Sequence, residues 1–127
     1  VTTITVKPVP VVLSVSPQTL CEGANTQAIN FTSPLSGTAF SWTNSNTSIG
    51  LAGSGNGNSI AAFVSQNPTN ADITAQINVV PSLNGCSGAS TSVTSIVVHP
   101  TPIVTTVSDQ SVCNGGTVSA IAFSGPF

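Results

Sequence analysis

An internal repeat constrains this chain more than any other feature of its sequence. Shifting the sequence by 92 residues lays VTSIVVHPTPIVTTVSDQSVCNGGTVSAIAFSGPF (93–127) over VTTITVKPVPVVLSVSPQTLCEGANTQAINFTSPL (1–35) without a gap, and sixteen of the 35 positions are identical. Pro8 falls on Pro100, Pro10 on Pro102, Cys21 on Cys113, Gly23 on Gly115, Ile29 on Ile121 and Phe31 on Phe123. The 127 residues are therefore read as one whole unit flanked by pieces of its neighbours in a tandem array.

The repeated punctuation sets the unit boundaries. Lys7-Pro8-Val9-Pro10 and His99-Pro100-Thr101-Pro102 each follow one apolar run and precede another. Two prolines spaced by one residue remove backbone donors and favour an extended, stiff connection. On this reading residues 1–9 are the last strand of a preceding repeat, 10–101 a complete repeat and 102–127 the start of the next. A repeat of about 92 residues has the size of one small sandwich domain. The chain opens at Val1 with no initiator Met and no charged-then-apolar leader, so a longer polypeptide is expected.

Composition narrows the fold class. Ser, Thr and Asn number 19, 17 and 11, Val and Ile 16 and 9, against 5 Leu and no Met. This β-branched chain, punctuated by Gly and Pro, predicts an all-β fold. One Lys and no Arg cannot neutralise a phosphate backbone, which argues against a nucleic-acid partner. No apolar run approaches the length of a membrane-spanning helix, so no direct membrane insertion is expected.

Apolar runs between turn clusters predict strands near 11–20 (interrupted at Pro17), 26–32, 38–44, 59–65, 72–80 and 91–98, with a shorter one near 48–52. In ADITAQINVV, Ile73, Ala75, Ile77 and Val79 fall on one face, and Thr74, Gln76 and Asn78 on the other. Ile29 with Phe31, and Phe40 with Trp42, form two further inward pairs. The stretch from Gly53 to Asn58 reads as a hairpin turn, and Asn84-Gly85 as another.

The chemistry-bearing residues are few. Trp42 could serve as a sugar platform, but its alternation with Phe40 assigns it to the core. Glu22, Asp72 and Asp109 are isolated and lack the converging carboxylates that a hard cation needs. His99 is the sole histidine and stands at a linker position that Lys7 fills one repeat earlier, which does not suit a catalytic base. Neither a Ser/His/Asp site nor a two-carboxylate site can be assembled, so a non-enzyme without cofactor or resident metal is expected. Gly53, Gly55 and Gly57 have no following Lys or helix and do not make a phosphate loop.

Cys21, Cys86 and Cys113 leave two pairings open, with free thiols as a third reading. A Cys21–Cys86 bond inside the repeat would close a 65-residue loop and stabilise it by roughly 4 kcal/mol. In an immunoglobulin-like sandwich, however, the first turn and the last hairpin lie at opposite ends. A disulfide needs Cα atoms within about 7 Å. The alternative is that the first-turn cysteine of one repeat meets the last-hairpin cysteine of the next.

Four stretches carry a family resemblance: TITVKPVP, CEGANTQAINF, FSWTNSNTSIGLAGSGNGNSIAAFVSQN and ADITAQINVVPSLNGCSG. They resemble the PKD-like repeats of large secreted and surface proteins of the Bacteroidota, and the likeness runs through all 127 residues. It implies an immunoglobulin-like β-sandwich in tandem array. It also implies export, commonly by type IX secretion, to the cell surface as part of a gliding-motility or adhesin polypeptide. The chain departs from PKD domains proper where W-D-F-G-D-G is replaced by Trp42-Thr43-Asn44-Ser45-Asn46. With the acidic residues go any metal or ligand roles tied to them.

The expected function is structural: sandwiches joined by Pro-x-Pro form a stalk that presents a distal domain, each repeat's partners being its neighbours in the same polypeptide. Two other classes are kept beside it. One is a binding module that contacts glycans or other surface proteins through many weak sites. The other is a fibre subunit that assembles by strand addition.

Overall fold

The computed structural model describes residues 1–126. Its regular structure is β1 (Gln18–Cys21), β2 (Ile29–Asn30), β3 (Ala39–Asn44), a 3-10 turn (Thr47–Ile49), β4 (Ser54–Asn56), β5 (Ser59–Ile60), β6 (Ile73–Leu83), β7 (Cys86–Ser87) and β8 (Thr91–His99). The all-β expectation thus holds.

The larger sheet runs β1-β8-β6-β3-β4, with β7 paired to the end of β6. Its ladders are antiparallel except for β1 on β8, which is parallel with Cys21 opposite His99. A second, two-stranded sheet pairs β2 with β5 antiparallel. The core gathers Ile29, Phe31 and Ile60 with Phe40, Trp42, Ala75, Ile77, Val79, Val93, Ile96 and Val98 of the larger sheet and Ile49 of the 3-10 turn. Alternation along β3 puts Phe40, Trp42 and Asn44 inside, and along β6 it puts Ala75, Ile77, Val79 and Pro81 inside. Ile73, expected in the core, is only partly buried and packs against the core from the first position of β6.

Several predicted elements take another form. Residues 11–17 serve both sheets instead of continuing β1. Leu13 N–H donates to Thr32 O beside β2, and Val15 N–H donates to Val93 O in β8. A register shift between Ile77 and Asn78 leaves both Val93 and Thr94 buried, freeing the Val93 carbonyl and sending the Thr94 hydroxyl to Ser16 O. Pro17, which has no N–H, sits where the segment changes partners.

The predicted strand near 48–52 is a 3-10 turn instead. Asn46 caps it by accepting from Ser48 N–H, and Gly50 ends it with φ 91°. The expected Gly53–Asn58 turn contains β4, paired to β3 with Trp42 opposite Gly55. The runs at 26–32 and 59–65 shorten to β2 and β5, followed by one isolated bridge, Asn25–Val64.

Buried polar side chains close the loops. Asn44 donates to Leu51 O and Ala52 O, and Asn67 to Ala71 O and Val98 O. Ser65 donates to Cys21 O and Ala24 O. Among the described residues no buried side-chain polar atom lacks a partner.

Candidate functional site

The features that set this molecule apart lie at its two poles, and β6 defines the distance between them. Ile73 pairs with Val98 at one end, and Leu83 pairs with Cys86 across the Asn84-Gly85 turn at the other. Ten residue steps at about 3.4 Å put the poles roughly 30 Å apart.

At the hairpin pole the chain comes in. Pro10 is fully buried there, with its carbonyl against Gly88 and beside Pro81. A Cβ at Gly88 would lie 2.8 Å from Pro81 Cγ and would overlap the Pro10 carbonyl oxygen outright, so glycine alone lets this linker seat. Gly88 N–H donates to Pro81 O at 2.8 Å, and the Lys7 ammonium donates to Asn84 O at 2.9 Å. Asn84 and Gly85, with φ of 51° and 81°, make the tight turn that presents that carbonyl.

At the opposite pole the chain leaves. Glu22 N–H donates to His99 O at 2.8 Å, and Thr101 N–H reaches Glu22 Oε2 at 3.4 Å. The His99 Nδ1 lies 2.7 Å from Asp72 Oδ1, both side chains being well exposed. Outgoing residues 99–101 are thus tied to β1 and to the start of β6.

The cysteines divide between these poles. Cys21 ends β1 opposite His99, at the pole where the chain leaves, and Cys86 opens β7 on the incoming hairpin. All three thiols are free, Cys21 and Cys113 being exposed. The Cys21–Cys86 bond, one of the two pairings left open, is not made in this topology. The length of β6 separates the two residues, against the roughly 7 Å that a disulfide spans.

Beyond the outgoing pole, residues 105–124 repeat the internal hydrogen bonds of residues 13–32. Leu13→Thr32, Gln18 Nε2→Gln27 O and Gln27 N→Gln18 Oε1 recur at the 92-residue offset as Thr105→Ser124, Gln110 Nε2→Ser119 O and Ser119 N→Gln110 Oε1. The Ala24→Cys21 turn recurs as Gly116→Cys113, and Gly23 and Gly115 share φ near +81°. Among the described residues the second segment forms no strand, and its burial differs: Ile29 and Phe31 are 1% and 4% exposed, Ile121 and Phe123 57% and 77%.

Trp42 is enclosed in the core, its indole lying against Gly55, where an added Cβ would fall 2.5 Å from the ring. Among the described residues no three His, Cys, Asp or Glu side chains cluster as metal ligands, and no helix is long and apolar enough to cross a membrane. A shallow hollow of about 300 Å³ beside β1 is lined by Pro17, Gln18, Thr19, Leu20, Asn25 and Gln27, without a charged group.

Sequence reasoning identified the prolines and cysteines but missed Gly88, Pro81 and the Gln18 clasp. The clasp had a signal, since Gln18 recurs as Gln110. Comparison with protein-family models, with curated proteins and with solved structures yields no match to this chain.

Proposed function

We propose that the chain is a stretch of an immunoglobulin-like, PKD-like tandem array in a large secreted or surface protein, acting as a non-catalytic stalk that presents a distal adhesive or other functional domain. The sandwich type is favoured by an opening segment shared between two sheets and a parallel β1–β8 edge on an otherwise antiparallel sheet. The bond-for-bond copy of 13–32 at 105–124 supports the repeat.

One observation carries the stalk reading: the chain comes in at the hairpin pole and leaves at the other, with a Pro-x-Pro linker at each. Units threaded this way extend end to end, and load passes along β6 and β8, the longest ladder of the sheet. A glycan-binding reading loses its best platform, because Trp42 is enclosed.

Small-angle scattering on a chain carrying residues 10–101 three times in tandem tests this. The maximum dimension should grow by about 30–40 Å per unit with a rod-like profile. Growth with the square root of unit number would refute it.

A further inference from the structure

In a tandem array the two poles meet, and the 92-residue offset says which residues come together there. Lys7 stands where His99 stands one repeat later. His99 is the strand partner of Cys21, so in an array Lys7 is the strand partner of the Cys21-type residue of the preceding unit. Neighbouring strands lie about 4.8 Å apart. Lys7 is also the residue whose ammonium rests on Asn84 O, two positions before Cys86. A Cys21-type thiol and Cys86 therefore flank the same linker residue, from the two units that the linker joins.

The seat is built around that linker. Pro10 is locked between Pro81 and Gly88, which fixes the hairpin relative to the incoming chain. On the other side the Glu22 and His99 backbones, together with Thr101, fix the outgoing chain relative to Cys21. Both cysteines are thus held at short tether from one linker, and neither has a reachable partner within its own unit.

We infer that the hairpin pole (Pro81, Asn84, Gly88) is the receptor for the outgoing pole of the preceding copy of this unit, and that the joint is sealed by a disulfide between Cys21 of one unit and the Cys86-type cysteine of the next. The inference rests on the tandem-array reading and adds a covalent bond across each joint. With glutathione disulfide as oxidant, the Cys21 thiolate attacks one glutathione sulfur and displaces a glutathione thiolate. The Cys86-type thiolate of the next unit then attacks the Cys21 sulfur of the mixed disulfide and releases the second glutathione. Two protein thiols are oxidised and one glutathione disulfide is reduced to two glutathiones. Cys113, which sits in the Cys21 position of the following unit, is the next half-joint along the chain.

The test uses residues 1–101 followed directly by 10–127, so that Pro10 of the second copy takes the place of Pro102. After oxidation with glutathione disulfide, peptic digestion and mass spectrometry should find Cys21 of the first copy bonded to Cys86 of the second. Changing either of those two to Ser should abolish the crosslink. A bond between Cys21 and Cys86 of one copy, or glutathione adducts alone on all thiols, would overturn the proposal. Scattering on the doubly Cys→Ser chain separates the two claims. A rod without the bond leaves the stalk reading standing when mapping finds no crosslink, whereas a freely jointed profile in the crosslinked chain sinks the stalk reading even if the bond forms.

Discussion

Gly55 illustrates how a residue that looks like loop punctuation becomes a packing element. In sequence it belongs to a glycine-rich stretch, yet in the structure it pairs with Trp42 across β3 and β4 and lies flat under the indole. An added methyl would come 2.5 Å from the ring, inside any tolerated contact, so Trp42 would have to move within a filled core. Gly55→Ala should therefore destabilise the unit by about 1–3 kcal/mol. Trp42 is the sole tryptophan, so its fluorescence reports the shift in the urea midpoint directly. Asn44 and Asn67 belong to the same scale. Both are buried because their amides satisfy backbone carbonyls, Asn44 those of Leu51 and Ala52 and Asn67 those of Ala71 and Val98.

Among the elements, the opening hairpin occurs twice in one chain with the same hydrogen bonds and different cover. The first copy is packed under Phe40, Trp42 and Ile77, while the second exposes the equivalent apolar face. The pair separates local from tertiary contributions. Phe31→Ala should cost about 3–5 kcal/mol, as a large aromatic lost from a core. The matching Phe123→Ala should change unfolding of this chain by no more than about 0.5 kcal/mol. Equal effects on the chemical denaturation midpoint would mean that the second hairpin is folded into a core after all. The strand predictions succeeded at Ala39–Asn44, Ile73–Leu83 and Thr91–His99, where alternation or an apolar run is long. The strand expected at 48–52 is a 3-10 turn, and the turn expected at 53–58 contains β4. The sign of those failures is informative: a 3-10 turn and a short strand differ from strand and turn by which carbonyl a single Asn or Gly satisfies, and no periodicity records that.

For the whole molecule, charge scarcely enters the energetics. One Lys and three acids leave the hydrophobic core and the backbone ladders to hold the sandwich, with Lys7 bound to a neutral carbonyl and His99–Asp72 exposed at the rim. The melting temperature should accordingly move by less than about 2 °C between low and physiological ionic strength, because little is there to be screened. A larger shift in calorimetry would assign the His99–Asp72 pair or the termini a weight that their exposure does not support. A neutral Ser/Thr/Asn exterior would also suit the proposed array, since like-charge repulsion between units would otherwise vary with salt.

The all-β class and the inward pairs Ile29–Phe31 and Phe40–Trp42 were legible in the sequence, because side-chain alternation is a local property that a strand writes directly into residue order. Only the tertiary structure decided that Cys21 and Cys86 lie at opposite poles, that Gly88 seats Pro10, and that residues 11–17 serve two sheets. Those facts depend on sheet register and on which strands become neighbours. Register is fixed by packing summed over the whole core, so no single stretch of residues could announce it.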